Sequence, residues 1–243
     1  MRADIITLFP AMFDGVIGQS ILRIAREKGL LDVGLTDLRD FATDRYGSVD
    51  DRPFGGGPGM VIKPVPLAEA IRAVISRNGP GRLIIPDPRG VRFSQALARE
   101  WSKEAHLIFF AAHYEGYDER IVELFKPELV SLGDFVVTGG ELPALAMLDA
   151  TVRLLPDVLG DPESSVCESF APENAGLLEY AQYTRPAEFE GLAVPEVLLS
   201  GDHARVAAWR KEQALQRTKA ARPDLLGPAA TQQKQDKDGL GKR

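Results

Sequence analysis

The sequence predicts an α/β fold, a mostly parallel sheet covered by helices, on three observations. Short apolar runs alternate with helix-spaced segments over the first 155 residues. The runs end repeatedly in clusters of Gly, Pro and charged residues, and ligands of open parallel sheets bind at such carboxyl ends. The composition, 44% hydrophobic and 26% charged in 243 residues, is ordinary for a globular chain. That length holds one large domain, or a medium one with a small companion.

The elements follow in order. Ala3–Phe9 is an apolar run stopped by Pro10. Ala11–Lys28 places Met12, Val16, Ile17, Ile21, Leu22 and Ala25 at helical spacing and reads as one helix. Leu31–Leu38 alternates like a strand, and residues 39–59 show no period. Pro66–Arg77 is helical, with Leu67, Ala70, Ile71 and Val74 on one face. Arg82–Ile85 is a strand. Ser94 caps a helix running through Glu104. His106–Ala111 is a very apolar strand, and Asp118 caps a helix through Phe125. Residues 131–145 read SLGDFVVTGGELPAL, an apolar β-prone strand with Gly133-Asp134 at one end and Gly139-Gly140 at the other, before a helix to about Leu154. Residues 156–176 hold Pro, Gly and acids without a period and read as a linker or a loop. Asp202–Ala220 is a helix capped by Asp202. The polar residues 228–243 are expected to be disordered.

Composition excludes several classes. No apolar run is long enough to span a membrane, and MRADIITLFP enters a strand pattern without a signal-peptide core. A single cysteine, Cys167, excludes an internal disulfide and fits a cytoplasmic location. Three histidines and one cysteine argue against a structural zinc site. The net charge is −6, yet residues 200–243 carry ten Lys/Arg against five Asp/Glu. That segment is either a solvated tail or a footprint for phosphates.

Several stretches point to chemistry. VDDRPFGGGPGM, at residues 49–60, is a Gly/Pro-rich loop with Arg52 beside it. It lacks the Lys-Ser/Thr of a Walker loop, so it is an anion-contacting loop or a structural hinge. IPDPRG (residues 85–90) and AAHYEGYDER (residues 111–120) each follow a strand. With SLGDFVVTGGELPAL they form three ligand-like strand exits. Gly139-Gly140 before Glu141 would let a ligand approach main-chain N–H groups. The same pattern also fits a buried strand with a tight turn.

The chain resembles the bacterial tRNA (guanine-N1)-methyltransferase family, TrmD, of the SPOUT superfamily. The resemblance rests on ITLFPAMF (6–13), DDRPFGGGPGM (50–60), HYEGYDER (113–120), SLGDFVVTGGELPA (131–144), PDVLG (156–160), YTRP (183–186) and GLAVPEVLLSGDHARVAAWR (191–210). It implies a SPOUT-type parallel sheet with a deep trefoil knot over residues 1–160, a linker over 161–176 and a small helical tRNA-binding domain over 177–227. It implies an obligate homodimer, S-adenosylmethionine as donor and N1 of guanosine at tRNA position 37, in the anticodon stem-loop, as acceptor. The donor would contact Ile85, Pro86, Asp87, Pro88, Gly90, Ala112, Tyr114, Glu115, Gly116, Ser131, Leu132, Gly133, Asp134, Phe135, Val136, Val137, Gly139 and Gly140, largely through main-chain groups, with Glu115 complementing its positive charge. Arg153 matches the family's assisting arginine. Glu168, in Glu168-Ser169-Phe170, stands where the family writes the Asp that serves as base. Ala112 replaces a usual Gly, and Pro-Asp-Pro-Arg replaces a commoner Ser-Pro-Gln or Ser-Pro-Arg. These departures keep open a competing reading, an RNA-binding regulatory protein that has kept the fold and lost catalysis.

Overall fold

The structure, a computed structural model, describes residues 1–160 and 168–226. The chain divides into two compact units, Met1–Gly160 and a second from Asp161 onward. Cys167, residues 161–167 of the expected linker and the expected disordered tail at 228–243 lie outside the described residues.

The first unit is built on a five-stranded sheet of β1 (Arg2–Thr7), β2 (Asp32–Asp37), β5 (Arg82–Arg92), β6 (His106–Phe110) and β7 (Glu128–Ser131). The order is β2-β1-β6-β5-β7, and every pairing is parallel. Parallel strands need crossovers, and helices supply them on both faces. Ile5, Leu107, Phe109 and Val130 face one core, with Phe13, Leu22, Trp101 and Leu148. These come from α1 (Ala11–Ile17), α2 (Ser20–Glu27), α4 (Gln95–Trp101) and α6 (Glu141–Val152). Ile6, Ile108 and Phe110 face the other, with Leu67, Ile71 and Ile121 of α3 (Pro64–Asn78) and α5 (Arg120–Phe125). Burial of both faces explains why HLIFF is apolar throughout instead of alternating.

Four expectations change. The single helix over 11–28 is two helices, broken at Gly18-Gln19; the Gly18 N–H closes on Asp14 O at 3.1 Å, and Ser20 stands at φ 48°. Arg82–Ile85 extends to Arg92, so the presumed IPDPRG loop lies within β5. Pro86 and Val91 both pair with Val130, which throws Asp87–Gly90 out as a bulge. A bulge is where a strand tolerates Pro86 and Pro88, which cannot donate to the ladder. At Gly90 a Cβ would lie 2.2 Å from the Leu129 carbonyl, so two backbones touch there. The apolar run at 132–140 is not a strand: β7 stops at Ser131 and an irregular segment follows, because no neighbouring strand continues to pair with it. Asp118 is not the cap itself. Glu119 precedes α5, while the Asp118 carboxylate accepts the Arg120 N–H at 3.0 Å.

Other local rules hold. Ser94 Oγ accepts the Leu97 N–H at 3.3 Å and starts α4, which ends at Trp101, short of Glu104. The Gly-rich loop at 50–60 is the tip of a hairpin, β3 (Asp50–Asp51) with antiparallel β4 (Val61–Ile62). At the amino ends of the strands, buried Asp4 accepts from Arg2 Nε at 2.6 Å and Asn78 Nδ2 at 3.0 Å, with His106 Nε2 at 2.8 Å.

In the second unit, residues 168–178 fold into a turn: Phe170 N donates to Leu177 O at 3.0 Å and Gly176 N to Ala171 O at 2.9 Å. A hairpin follows, β8 (Glu188–Phe189) with β9 (Leu192–Ala193), then α7 (Glu196–Leu199) and α8 (His203–Ala221). Asp202 caps α8 through the Arg205 N–H at 3.1 Å. Thr218 of α8 accepts the Leu178 N–H at 2.9 Å, tying the turn to the helix. Among the described residues no helix is long and apolar enough to cross a membrane.

Phe109 is fully buried beside Trp101, ring centroids 6.0 Å apart. Phe109→Ala is expected to cost about 3–5 kcal/mol, read as a lower urea midpoint at unchanged slope. A loss below about 1 kcal/mol would show a core that repacks freely.

Candidate active site

A cavity of about 450 Å³ opens at the carboxyl ends of β5, β6 and β7. Three chain segments wall it: the bulge of β5, the loop after β6, and the irregular stretch from Ser131 to Gly140. These are the three strand exits singled out in the sequence. Of the expected donor contacts, Pro86, Asp87, Pro88, Ala112, Tyr114, Glu115, Gly116, Ser131, Leu132, Phe135, Val136, Val137, Gly139 and Gly140 line it. Ile85, Gly90, Gly133 and Asp134 do not. Ile85 is in the core under α3, and Gly90 packs on the β7 backbone. Gly133 lies against the Phe135 ring, and the exposed Asp134 carboxylate pairs with Arg92.

The walls also contain residues that spacing alone did not select: Arg89, His113, Tyr117, Val130, Thr138 and Pro143. His113 and Tyr117 stand within the loop already singled out, and Arg89 within the bulge. A lone His or Tyr in a turn carries no sign of its burial, so only the fold reveals them.

Behind His113, which lines the cavity, runs a closed ring of contacts. Glu141, the first residue of α6, is 1% exposed. Its carboxylate accepts from Thr7 Oγ1 at 2.7 Å and lies 2.7 Å from His113 Nε2, which donates to it. Thr7 Oγ1 accepts the Phe9 N–H at 3.0 Å, and the Phe9 ring meets His113 edge-on at 4.7 Å. A buried carboxylate without such donors would cost several kcal/mol. The ring leaves no space at the two glycines beside it. A Cβ on Gly139 would lie 2.2 Å from His113 Nε2, and one on Gly140 2.8 Å from Ala112 N. Gly140 N donates to Ala112 O at 2.8 Å. The Gly-Gly pair thus serves close packing of its own chain. Both glycines also line the cavity, and the Gly140 N–H is already engaged by Ala112 O.

The second wall is anchored from outside. Glu115 N donates to Met60 O at 3.0 Å, and Ile62 N to Gly116 O at 2.9 Å, so the β3–β4 hairpin holds the loop after β6. Gly59, at φ +72°, sits where a Cβ would be 2.4 Å from Glu115 Cγ. Tyr114 takes φ 62° and Gly116 φ 124°, a sharply turned backbone.

Electrostatics concentrate on Asp87, which is 7% exposed. Its carboxylate accepts from Arg89 N at 2.8 Å, Arg89 Nη2 at 2.8 Å and Tyr117 Oη at 2.8 Å. Burial alone would raise its pKa, but the bonds from Arg89 and Tyr117 outweigh it and hold the group below the usual carboxylate range. Burial, and then the hydrogen bond to Asp87 and its charge, push the Tyr117 phenol above the ordinary tyrosine range.

The two expected catalytic residues belong to different units. Arg153 ends α6 and lies outside the cavity lining. Glu168 begins the described part of the second unit, its carbonyl accepting the Ala171 N–H at 3.2 Å. Among the described residues no group of His, Cys, Asp and Glu could hold a metal ion.

Two tests follow from this geometry. Gly140→Ala puts a methyl against main chain that cannot move aside, so it is expected to destabilise the first unit by about 1–3 kcal/mol in urea. A wild-type midpoint would show that the α6 entrance is loose. Tyr117 has a raised folded pKa, so its contribution is complete below the unfolded value of about 10 and is lost as pH rises through the folded one. Asp87, depressed in the fold, contributes above its unfolded value and loses that as pH falls through the folded one. Phenolate absorbance of the native chain should therefore lag that of the unfolded chain, and Tyr117→Phe should shrink the lag. Identical curves would contradict the buried pair.

Comparison with known proteins agrees in extent and in kind. The family model described as tRNA (Guanine-1)-methyltransferase TrmD matches residues 1–228. A protein of Geobacillus kaustophilus named tRNA (guanine-N(1)-)-methyltransferase is 50% identical over 237 residues, covering 97% of this chain and 96% of the relative. A namesake from Geobacter metallireducens is 54% identical over 229 residues, covering 94% and 92%. Another from Lactiplantibacillus plantarum is 52% identical over 227 residues, covering 93% and 91%. With nearly the whole chain matched on both sides, this protein belongs to the tRNA (guanine-1)-methyltransferase TrmD family.

Proposed function

We propose that this chain methylates N1 of guanosine at position 37 of tRNA, taking the methyl group from S-adenosylmethionine held in the 450 Å³ cavity. The cavity carries the reading. Its volume suits a ligand of that size, and its walls combine turned backbone, apolar Leu132, Val137 and Pro143, and the Glu115 carboxylate. That donor set fits a cation carrying an adenine: main-chain groups read the base, apolar walls cover it, and Glu115 offsets positive charge. When bound, S-adenosylmethionine supplies a methyl group activated on a sulfonium.

The chain's own residues supply the rest. The guanine N1–H is weakly acidic, so a base must take its proton as N1 forms its bond to the methyl carbon. Glu168 is that base, one methylene longer than the family's Asp. Arg153, at the end of α6, meets the negative charge that develops at the guanine O6. Arg153 belongs to the first unit and Glu168 to the second. Exposed Arg205, Arg210, Lys211, Arg217 and Lys219 line α8, with Glu212 the acid among them, a cationic helix for the phosphates of an anticodon stem-loop. A homodimer is supported by Met12 and Val16 of α1 and Leu142 of α6, apolar side chains left exposed on two helices that pack together. The family's trefoil knot is part of the same proposal; the tight passage of Gly140 past Ala111-Ala112 suits a threaded chain. A cytoplasmic location, where tRNA is modified, goes with it.

Labelled donor should transfer its methyl to tRNA bearing guanosine at positions 36 and 37, and a folded dimer that transfers none refutes the proposal. Glu168→Gln should lower kcat about 100-fold or more with donor affinity nearly unchanged; unchanged turnover removes Glu168 from the role of base. Affinity for tRNA should fall steeply between low and moderate salt, and a flat response would leave the α8 charges as solvated surface.

A further inference from the structure

We infer that Asp87 is a positioning residue that never touches the donor: with Arg89 and Tyr117 it forms a clamp that sets the distance between two walls of the cavity. The inference rests on the proposed reading of the cavity as the donor site, and adds Arg89 and Tyr117 to its working parts.

The geometry is specific. Asp87 stands on the bulge of β5, and Tyr117 ends the loop after β6. Tyr117 Oη donates to Asp87 Oδ2 at 2.8 Å, linking the two walls directly. Arg89 closes the linkage from the rim. Its backbone N–H and its guanidinium, through Nε at 3.1 Å and Nη2 at 2.8 Å, all donate to Asp87. Nη1 donates to Glu119 Oε2 at 3.1 Å, and the guanidinium lies 5.8 Å from the Tyr117 ring centre. Both Asp87 oxygens are thereby occupied from within the chain. An ionised carboxylate has acceptor sites only. With Arg89 and Tyr117 in place, and with 7% exposure, Asp87 offers a ligand hydroxyl or ammonium little surface.

The clamp has a structural need to answer. The bulge is ejected from the sheet between Pro86 and Val91 and has no ladder bonds of its own. Pro86 and Pro88 lack N–H groups, which removes two donors from its backbone. The Asp87 carboxylate anchors it instead. Placing the charge on the bulge and the hydroxyl on the opposite loop fixes the mouth of the cavity in the geometry the donor requires, so less order is imposed on binding. A chain with Ser at position 87 would have to hold this bulge some other way.

The experiment is a cycle of Asp87→Asn, Tyr117→Phe and the double variant, with S-adenosylmethionine affinity by calorimetry and steady-state kinetics on tRNA. Tyr117→Phe removes only the hydroxyl; the ring stays against Phe110, 5.8 Å between centres. Each single change should weaken donor affinity about fivefold to tenfold and raise the donor KM alike, with kcat at saturating donor within about twofold. The double variant should be no weaker than the worse single one, because the two groups act as a unit. Three results overturn the inference. Weaker donor binding in Asp87→Asn with wild-type binding in Tyr117→Phe makes Asp87 a direct contact. Additive losses make the two groups independent. Wild-type affinity in both single variants makes the clamp idle. A wild-type chain that binds no donor fails at the earlier step and overturns the reading of the cavity itself.

Discussion

A single buried carboxylate organises the site. Glu141 sits at the first turn of α6, out of water, with Thr7 on one oxygen and His113 against the other. Removing a carboxylate from water costs several kcal/mol unless donors replace the solvent. Among the described residues its partners come from the end of β1 and the loop after β6. The charge therefore obliges three separate elements to meet at one point. A helix N-terminus adds a modest favourable field for the same charge. Everything the cavity offers is referred to that point, since Gly139 and Gly140 pass beside it with no room for a side chain.

Two buried carboxylates of the first unit divide the labour. Glu141 holds His113 from behind the cavity, and Asp87 fixes the spacing of two walls. Both are saturated by protein donors and are structural charges. Glu115 differs: it lines the cavity with its stem packed beneath Gly59, and its loop is held by the β3–β4 hairpin. Gly59 of that hairpin answers to a close approach to Glu115, and Gly55, Gly56 and Gly57 to their positive φ. Recognition by turned main chain suits this arrangement, because backbone groups held on both flanks lose little freedom when a ligand arrives.

Much of the architecture was legible in the sequence, and the failures have physical reasons. The alternation of strands and helices read correctly because both faces of the sheet are buried, which makes strands such as HLIFF unmistakably apolar. The break at Gly18-Gln19 was hidden because α1 and α2 keep one apolar face across it. Residues 132–140 look like a strand in composition, yet they find no partner strand, and pairing is not written in a single segment. The bulge at Asp87–Gly90 was misread as a loop for the opposite reason: its neighbours on both sides do pair with β7. At the site, the three strand exits were identified from Gly, Pro and charge alone. The roles of His113, Tyr117 and Arg89 were not, because each depends on a partner 28 to 30 positions away or on burial. The catalytic assignment of Arg153 and Glu168 came only through family resemblance, and their placement in two units gives spacing no purchase on it.

The central claim is that the donor is read by backbone, with Glu115 facing its positive charge, beside Asp87 and Glu141 carboxylates that are already committed. A crystal structure of the protein with a non-reactive analogue of S-adenosylmethionine tests it most directly. The account predicts the analogue between the 112–116 loop and the 132–140 stretch, with hydrogen bonds mainly to main-chain groups. It predicts that Asp87 still bonds Arg89 and Tyr117, and Glu141 still bonds Thr7 and His113. An analogue bound elsewhere, or one held by the Asp87 or Glu141 carboxylate after those partners are released, would contradict it.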